Sequence, residues 1–139
     1  DTSGRDSLFQ AESRRCKEII DTIQHNVHSQ YRHFCIFDEL YSGTNPTEAS
    51  KAGYAFLEYL QQFNNVSFIL TTHYLSICKK FKNDNNIQNY KMIVKINTNG
   101  TFNYTYKIKK GISKLKGGIR VLKDMNYPDQ IINTFENTD

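Results

Sequence analysis

The spacing of apolar and polar residues predicts two amphipathic helices in the first half of the chain. After Glu12, apolar residues recur at helical spacing with charged residues on the opposite face. These apolar positions are Cys16, Ile19, Ile20, Ile23 and Val27. For the second helix, Asn45 can act as the cap, Pro46 suits the first helical position and Glu48 can complete a capping box. This helix is predicted to run to about Phe63 and to bury one apolar stripe in the core. One face of the first helix is predicted to pack on the sheet.

Short apolar runs on either side of the second helix predict β-strands. One run spans residues 33–38 and the other spans residues 66–71. A strand, a helix and a strand of these lengths form a parallel βαβ unit, so we expect an α/β fold. A further short helix is predicted from Tyr74 to Phe81.

The last third of the chain has a different pattern. Residues 91–108 alternate between apolar and polar around Asn99-Gly100, which predicts a β-hairpin with a primed turn. From Gly111 onward the pattern predicts two short helices, separated by the Asn-Tyr-Pro segment at 126–128.

Composition narrows the class of protein. A chain of 139 residues with 38% hydrophobic content, nine Phe and nine Tyr is sufficient for one folded domain. Its three cysteines form no CxxC pair, and the sequence contains neither a secretory signal nor an apolar run long enough to span a membrane. We therefore expect an intracellular protein, cytoplasmic or nuclear, that is not secreted and does not bind a membrane. Because the chain begins with Asp1 rather than methionine, we interpret it as a fragment of a longer protein.

The strongest chemical signal is the segment FCIFDELYSGTN at residues 34–45. Four apolar residues lead into Asp38 and Glu39, and a Gly-Thr turn follows, which is the layout of a Walker B strand. Such a strand carries two carboxylates to the carboxyl edge of a parallel sheet, where nucleotides bind in open α/β folds. Asp38 could hold Mg²⁺ there and Glu39 could activate the attacking water. The alternative is a core strand that simply emerges into solvent.

Two further segments bear on this choice. Residues 67–74, SFILTTHY, repeat the pattern of an apolar strand with polar residues at its end and place His73 at the tip of the neighbouring strand. Without the other motifs, the favoured interpretation of His73 is a residue that caps a strand end. Upstream, Ser7, Phe9 and Glu12 form a Ser-x-Phe-x-x-Glu element.

These three segments together resemble the C-terminal part of the ATPase domain of the MutS family of DNA mismatch-repair proteins. The Ser-x-Phe-x-x-Glu element resembles the family's signature-like loop, DELYSGTNPTEA resembles its Walker B and D-loop, and the Thr-His-Tyr at 72–74 resembles its switch. The resemblance covers nearly the whole chain. Near the C-terminus it rests on Gly111, Gly118, Ile119, Val121, Tyr127, Pro128, Ile131 and Ile132.

The resemblance implies a partial P-loop NTPase fold, similar to ABC-type ATPases, with parallel strands, a β-hairpin and C-terminal helices. It implies an ATPase-domain portion at residues 1–110 and a helical dimerisation segment at residues 111–139. The implied cofactors are ATP and Mg²⁺. The implied partners are mismatched or branched DNA, bound through domains outside this chain, and a second MutS-like subunit in a homo- or heterodimer.

The resemblance also implies roles for individual residues. Glu39 and His73 would be catalytic, as the water-activating base and the γ-phosphate switch. Asp38 would bind Mg²⁺ and the nucleotide, and Ser7 would reach the phosphate bound by the opposite subunit. The remaining residues implied at the nucleotide and the subunit boundary are Gly43, Thr44 and Asn45, for which a simple turn is the alternative.

Two other interpretations of the chain stay open at this stage. An SMC-like or transporter-type ATPase would share the same superfamily, and a degenerate, non-catalytic module could serve only for dimerisation or partner docking. No GxxxxGK[ST] loop occurs in the sequence, so the isolated chain is expected to be a poor ATPase.

A basic cluster in the last third of the chain could be a nucleic-acid patch, but the net charge of only +4 favours a solvated or partner-binding face. It consists of Lys107, Lys109, Lys110, Lys114, Lys116, Arg120 and Lys123.

Overall fold

The computed structural model describes residues 4–115 and 117–138, with side chains from Leu8 onward. Within this range the fold is mixed α/β. The elements are α1 (Gly4–His25), β1 (His33–Asp38), α2 (Pro46–Leu60), β2 (Val66–Thr71), α3 (Leu75–Lys80), β3 (Tyr90–Ile96), β4 (Phe102–Lys110), α4 (Gly117–Asp124) and α5 (Asp129–Glu136). The chain divides after Gln88 into two compact parts, here called the N-terminal unit and the C-terminal unit. None of the described helices is long and apolar enough to cross a membrane.

The N-terminal unit contains the predicted strand, helix and strand. β1 and β2 pair in parallel, with a register that runs from His33 opposite Val66 to Asp38 opposite Thr71. Both strands therefore end at the same edge of the sheet. The α2 helix begins where its sequence predicts, because the side chain of Asn45 accepts a hydrogen bond of 2.9 Å from the backbone N–H of Glu48.

One face of this two-stranded sheet packs against α1 and α2 and forms the core. Buried side chains from both helices meet those of the sheet and the following turn, and the rings of Phe37 and Phe56 lie 5.4 Å apart in an edge-to-face arrangement. The buried core residues are Cys16, Ile23, Phe37, Leu40, Tyr41, Ala49, Phe56, Leu57, Leu60, Ile77 and Phe81. The opposite face of the sheet exposes Phe34, Ile36 and Ile69, at 66%, 76% and 54% of their surface.

The first helix corrects two expectations. It starts at Gly4, so the backbone from Ser7 to Glu12 is helical and is not the loop predicted for it. No proline interrupts this stretch, and residues that favour helices continue through it. The helix also ends at His25, before Val27, where the side chain of Asn26 donates to the carbonyl oxygen of Thr22.

The C-terminal unit contains the predicted hairpin and the two tail helices, which lie on either side of residues 126–128. The prediction of a primed turn at Asn99-Gly100 is wrong. The backbone N–H of Gly100 donates to the carbonyl of Asn97, and Gly100 has a positive φ of 83°, whereas Asn99 lacks the positive φ that a type I′ turn requires. The hairpin thus has a longer loop that ends in a left-handed glycine. The boundary predicted at residue 110 concerns function rather than packing and stays a prediction.

Candidate functional site

The carboxyl ends of β1 and β2 bring the predicted Walker B carboxylates beside the second strand. Asp38 is the last residue of β1 and lies opposite Thr71 in the parallel register. The hydroxyl of Thr71 donates a hydrogen bond of 2.6 Å to Oδ1 of Asp38. We call this place, formed by Asp38, Glu39, Thr71 and His73, the carboxyl edge.

Glu39 and His73 contact each other across this edge. Nδ1 of His73 lies 3.0 Å from Oε1 of Glu39, and both side chains are exposed. An ionised carboxylate can only accept, so the imidazole is the donor in this contact. The backbone N–H of Glu39 donates to the carbonyl of Thr71 at 2.8 Å, which continues the strand pairing one residue beyond β1. The side chains of Asp38, Glu39 and His73, which the sequence analysis identified, therefore lie together at one exposed edge of the sheet.

The backbone that follows β1 is strained. Glu39 and Tyr41 have φ values of 57° and 59°, in the left-handed region that residues with a side chain rarely adopt. Each such residue costs on the order of 1–3 kcal/mol and persists only where its surroundings fix it. Strain at the residue predicted to activate water is a pattern typical of functional sites.

Tyr41 is held in this conformation by packing against α1 and α2. Its ring lies 5.9 Å from that of Phe9 and 6.3 Å from that of Phe56. Burial raises the pKa of the Tyr41 phenol well above its ordinary value, and a hydrogen bond with Cys16 adds to the effect. Burial likewise raises the pKa of the Cys16 thiol. The phenol and the thiol are thus neutral at neutral pH. The hydrogen bond between them ties the segment that carries Glu39 to α1.

Glu12 connects α1 to the turn after the carboxylates. Its Oε2 accepts from the backbone N–H of Ser42 at 3.0 Å, and its Oε1 accepts from that of Gly43 at 2.8 Å. A Cβ atom at position 43 would lie only 2.6 Å from the backbone nitrogen of Phe9, so the close approach of turn and helix requires glycine. Sequence reasoning named Glu12 only as part of a motif and did not predict this contact.

The other predicted binding residues lie on α1 and in the turn after β1. The side chain of Asn45 caps α2, and the backbone N–H of Thr44 donates to the carbonyl of Tyr41 at 3.4 Å. Ser7 is the fourth residue of α1, and its side chain is outside the described part of the structure. The roles predicted for these residues stay predictions. Thr71 was not singled out, although its position opposite Asp38 follows from pairing the two strands in parallel from their first residues.

The carboxyl edge offers oxygen atoms, which are the ligands that Mg²⁺ prefers. Within residues 4–115 and 117–138, no group of three or more His, Cys, Asp or Glu side chains could hold a metal ion. This donor set fits Mg²⁺ bound to one or two carboxylates, with water and phosphate oxygens as further ligands, and it does not fit an all-protein cage.

Comparison with known proteins identifies the family. A model of MutS domain V matches residues 2–138. The chain is 31% identical to endonuclease MutS2 of Fusobacterium nucleatum over 127 residues, and this alignment covers 91% of the chain and 15% of that protein. It is 25% identical over 127 residues to the DNA mismatch repair protein MutS of Bartonella tribocorum, which covers 91% of this chain and 14% of that protein. The chain thus spans about a seventh of the length of these relatives. The chain therefore belongs to the MutS family.

Proposed function

We propose that this chain is the C-terminal part of the ATPase domain of a MutS-like protein. In this proposal it contributes the Walker B carboxylates and the histidine switch to a site that binds and hydrolyses ATP with Mg²⁺. The phosphate-binding loop, which these 139 residues lack, belongs to another part of the parent protein. The nucleotide state of the site would control how a dimer rearranges on DNA.

The observation that carries the proposal is the geometry of the carboxyl edge. Two consecutive carboxylates end one parallel strand, and a histidine follows the next strand and contacts the second carboxylate at 3.0 Å. Ligands of open α/β sheets bind outside the carboxyl ends of the strands. A solvated surface strand would not require a left-handed glutamate and a buried turn behind it.

The contact between His73 and Glu39 suits a switch. A neutral imidazole that donates from Nδ1 to Glu39 has only an acceptor at Nε2. Donating to a phosphate oxygen then requires a change of tautomer, a second proton or a new partner for Nδ1. In the first and third cases His73 would release Glu39 when it contacts the phosphate, which would leave the carboxylate available to orient water.

Asp38 would hold Mg²⁺ at this edge, with Thr71 fixing the orientation of its carboxylate through the 2.6 Å hydrogen bond. The bound ion would neutralise charge that develops on the phosphate oxygens. Because Asp38 and Glu39 are consecutive at the end of β1, one carboxylate would bind the ion while the other orients the water.

The exposed face of the sheet supports the P-loop NTPase assignment. Parallel sheets are normally covered by helices on both faces. Here Phe34, Ile36 and Ile69 are exposed on the face opposite α1 and α2. We infer that further strands and helices of the parent protein complete this sheet, as a full nucleotide-binding domain requires.

The link to DNA rests on the relatives. One is named as a DNA mismatch repair protein and another as an endonuclease of the same family. We propose that the parent protein acts on mismatched or branched DNA as a homo- or heterodimer, through regions outside this chain.

The test uses the Glu39→Gln variant of the longer protein that includes the phosphate-binding loop. ATP binding, measured by equilibrium titration, should be unchanged, because the amide keeps the size and position of the side chain. ATP turnover should fall by a factor on the order of 10²–10⁴, since the base or water-orienting group is lost. The matched control is Glu58→Gln near the C-terminal end of α2, which removes the same charge far from the edge and should leave turnover unchanged. Normal turnover in Glu39→Gln would overturn the assignment.

A second candidate, a non-catalytic dimerisation or docking module, is favoured by the apolar surface of the C-terminal unit. Met92, Ile96, Tyr104 and Ile108 on the hairpin are each more than half exposed. Measuring the oligomeric state of the longer protein with and without ATP separates the two candidates. Dimerisation that depends on ATP supports the ATPase, whereas dimerisation of the 139-residue chain without nucleotide supports the module.

A further inference from the structure

We propose that Glu12 is a positioning residue that clamps the turn after the Walker B strand to α1 and thereby fixes the orientation of Glu39. The clamp is the pair of hydrogen bonds from the backbone N–H groups of Ser42 and Gly43 to the two carboxylate oxygens of Glu12. The proposed effect on catalysis rests on the ATPase function proposed above.

The clamp is directional and charge-assisted. A carboxylate presents two acceptor oxygens, and the turn presents two consecutive N–H donors at 3.0 and 2.8 Å. Hydrogen bonds to an ionised group are about twice as strong as neutral ones. The hydrogen bond from Gly43 is partly buried, because Gly43 packs against the backbone of Phe9 and the side chain of Leu8, whereas the hydrogen bond from Ser42 is exposed. Competition from water is therefore reduced at Gly43.

The clamped turn begins three residues after Glu39. Between them lie Leu40, which is buried, and Tyr41, which is buried and has a left-handed φ of 59°. A segment with two left-handed residues could reach backbone conformations of lower energy. Contacts on both sides of these residues are therefore needed to hold the observed conformation. Glu12 provides these contacts at Ser42 and Gly43, and the core provides the others at Leu40 and Tyr41.

The clamp also links two predicted functional segments within one chain. Ser7 and Glu12 lie on the same helix, five residues apart. A rigid helix that carries Ser7 at one end and holds the Glu39 segment through Glu12 would transmit a displacement of its N-terminal end to the water-activating carboxylate. Glu12 would then affect turnover without contacting the nucleotide.

The first measurement is independent of ATP hydrolysis. In the 139-residue chain, amide hydrogen exchange followed by NMR should be about tenfold faster or more at Ser42 and Gly43 in Glu12→Gln, because one acceptor oxygen is replaced by a donor. Glu12→Asp keeps both oxygens on a shorter arm and should restore part of the protection. The matched control, Glu18→Gln, removes the same charge from an exposed position on the same helix and should leave both amides as protected as before. Unchanged exchange in Glu12→Gln would overturn the clamp.

The second measurement uses the longer protein with its ATP site. Glu12→Gln should lower kcat by about 10- to 100-fold while KM and the Kd for ATP stay the same, because orientation is lost and binding is not. A merely destabilising change would alter the melting temperature and leave the kcat of the folded enzyme unchanged. If Glu39→Gln lowers turnover and Glu12→Gln does not, the positioning role is wrong. If Glu39→Gln itself has no effect, the proposed ATPase function fails, and amide exchange still decides whether the clamp exists.

Discussion

The N-terminal and C-terminal units differ in how they use apolar residues. Of the twelve buried hydrophobic side chains described, eleven lie in the N-terminal unit and only Ile132 lies in the C-terminal unit. The hairpin and the tail helices expose most of their large apolar residues. A well-packed core therefore lies directly behind the candidate site, whereas the C-terminal unit presents apolar and basic surface.

This difference explains where precise chemistry is possible. Strained residues such as Glu39 and Tyr41 need surroundings that fix them, and the packed aromatic rings and the Glu12 contacts provide these. The C-terminal unit also has a left-handed residue, Tyr106, but its side chain is 87% exposed and lies beside an irregularity in the strand pairing. A bulge in an exposed hairpin bends a strand, and it does not hold a reacting group against a core.

Shortening one apolar side chain in each unit tests this difference most directly. Leu60 in α2 is fully buried, and Leu60→Ala should lower the free energy of unfolding by about 2–5 kcal/mol, since the lost contacts leave a cavity. Ile96→Ala in β3 removes a side chain that is 64% exposed and should cost less than about 1 kcal/mol. Urea unfolding of the 139-residue chain measures both values. Equal losses would show that the C-terminal unit has a core as important as that of the N-terminal unit.

Alkaline pH should weaken the N-terminal unit. Folding raises the pKa of Tyr41 and of Cys16 above their ordinary values of 10.0 and 9.0, so above about pH 9 the unfolded chain binds fewer protons than the folded chain. Stability is fully present below that pH and falls as pH rises, by up to about 1.4 kcal/mol per pH unit for each group. Burial also raises the pKa of Cys35, Cys78 and Tyr54 in this unit. Tyr41→Phe keeps the ring and removes one of these groups, so its unfolding free energy should fall less steeply between pH 9 and 11.

The control for this pH dependence is Tyr106→Phe in the C-terminal unit. Solvent already reaches most of this side chain in the folded chain, so the slope should remain that of the unmodified protein. A Tyr41→Phe variant with an unchanged slope would contradict the account of the buried phenol.

The sequence predicted most of the elements, because their signals are local. Short apolar runs located the strands that begin at His33 and Val66, and capping chemistry located the start of α2 at Asn45. Grouping Asp38, Glu39 and His73 required only the rule that parallel strands end at a common edge. The roles proposed for Asp38 and Glu39 came from the Walker B layout of the segment, whereas the switch role of His73 came from the resemblance.

Contacts between distant segments could not be predicted in this way. The contact of Glu12 with Ser42 and Gly43 spans about thirty residues, and no local pattern encodes it. The left-handed backbone at Glu39 and Tyr41 was also missed, because it depends on packing around the turn and neither residue type favours it. The hairpin turn failed for a related reason, since Asn-Gly fits both a primed turn and a longer loop with glycine at its end.

The smallest expected change in stability comes from replacing asparagine by alanine, at the start of α2 in one unit and inside α5 in the other. The side-chain oxygen of Asn45 accepts from the N–H of Glu48 at 2.9 Å, so Asn45→Ala should lower the free energy of unfolding by about 1 kcal/mol. Asn133→Ala makes the same chemical change at an exposed position inside α5, where alanine favours the helix, and should be neutral or slightly stabilising. Thermal unfolding of the two variants compares them directly. A loss at Asn133 as large as that at Asn45 would contradict the difference between the units, because side-chain contacts would then fix α5 as firmly as the cap fixes α2.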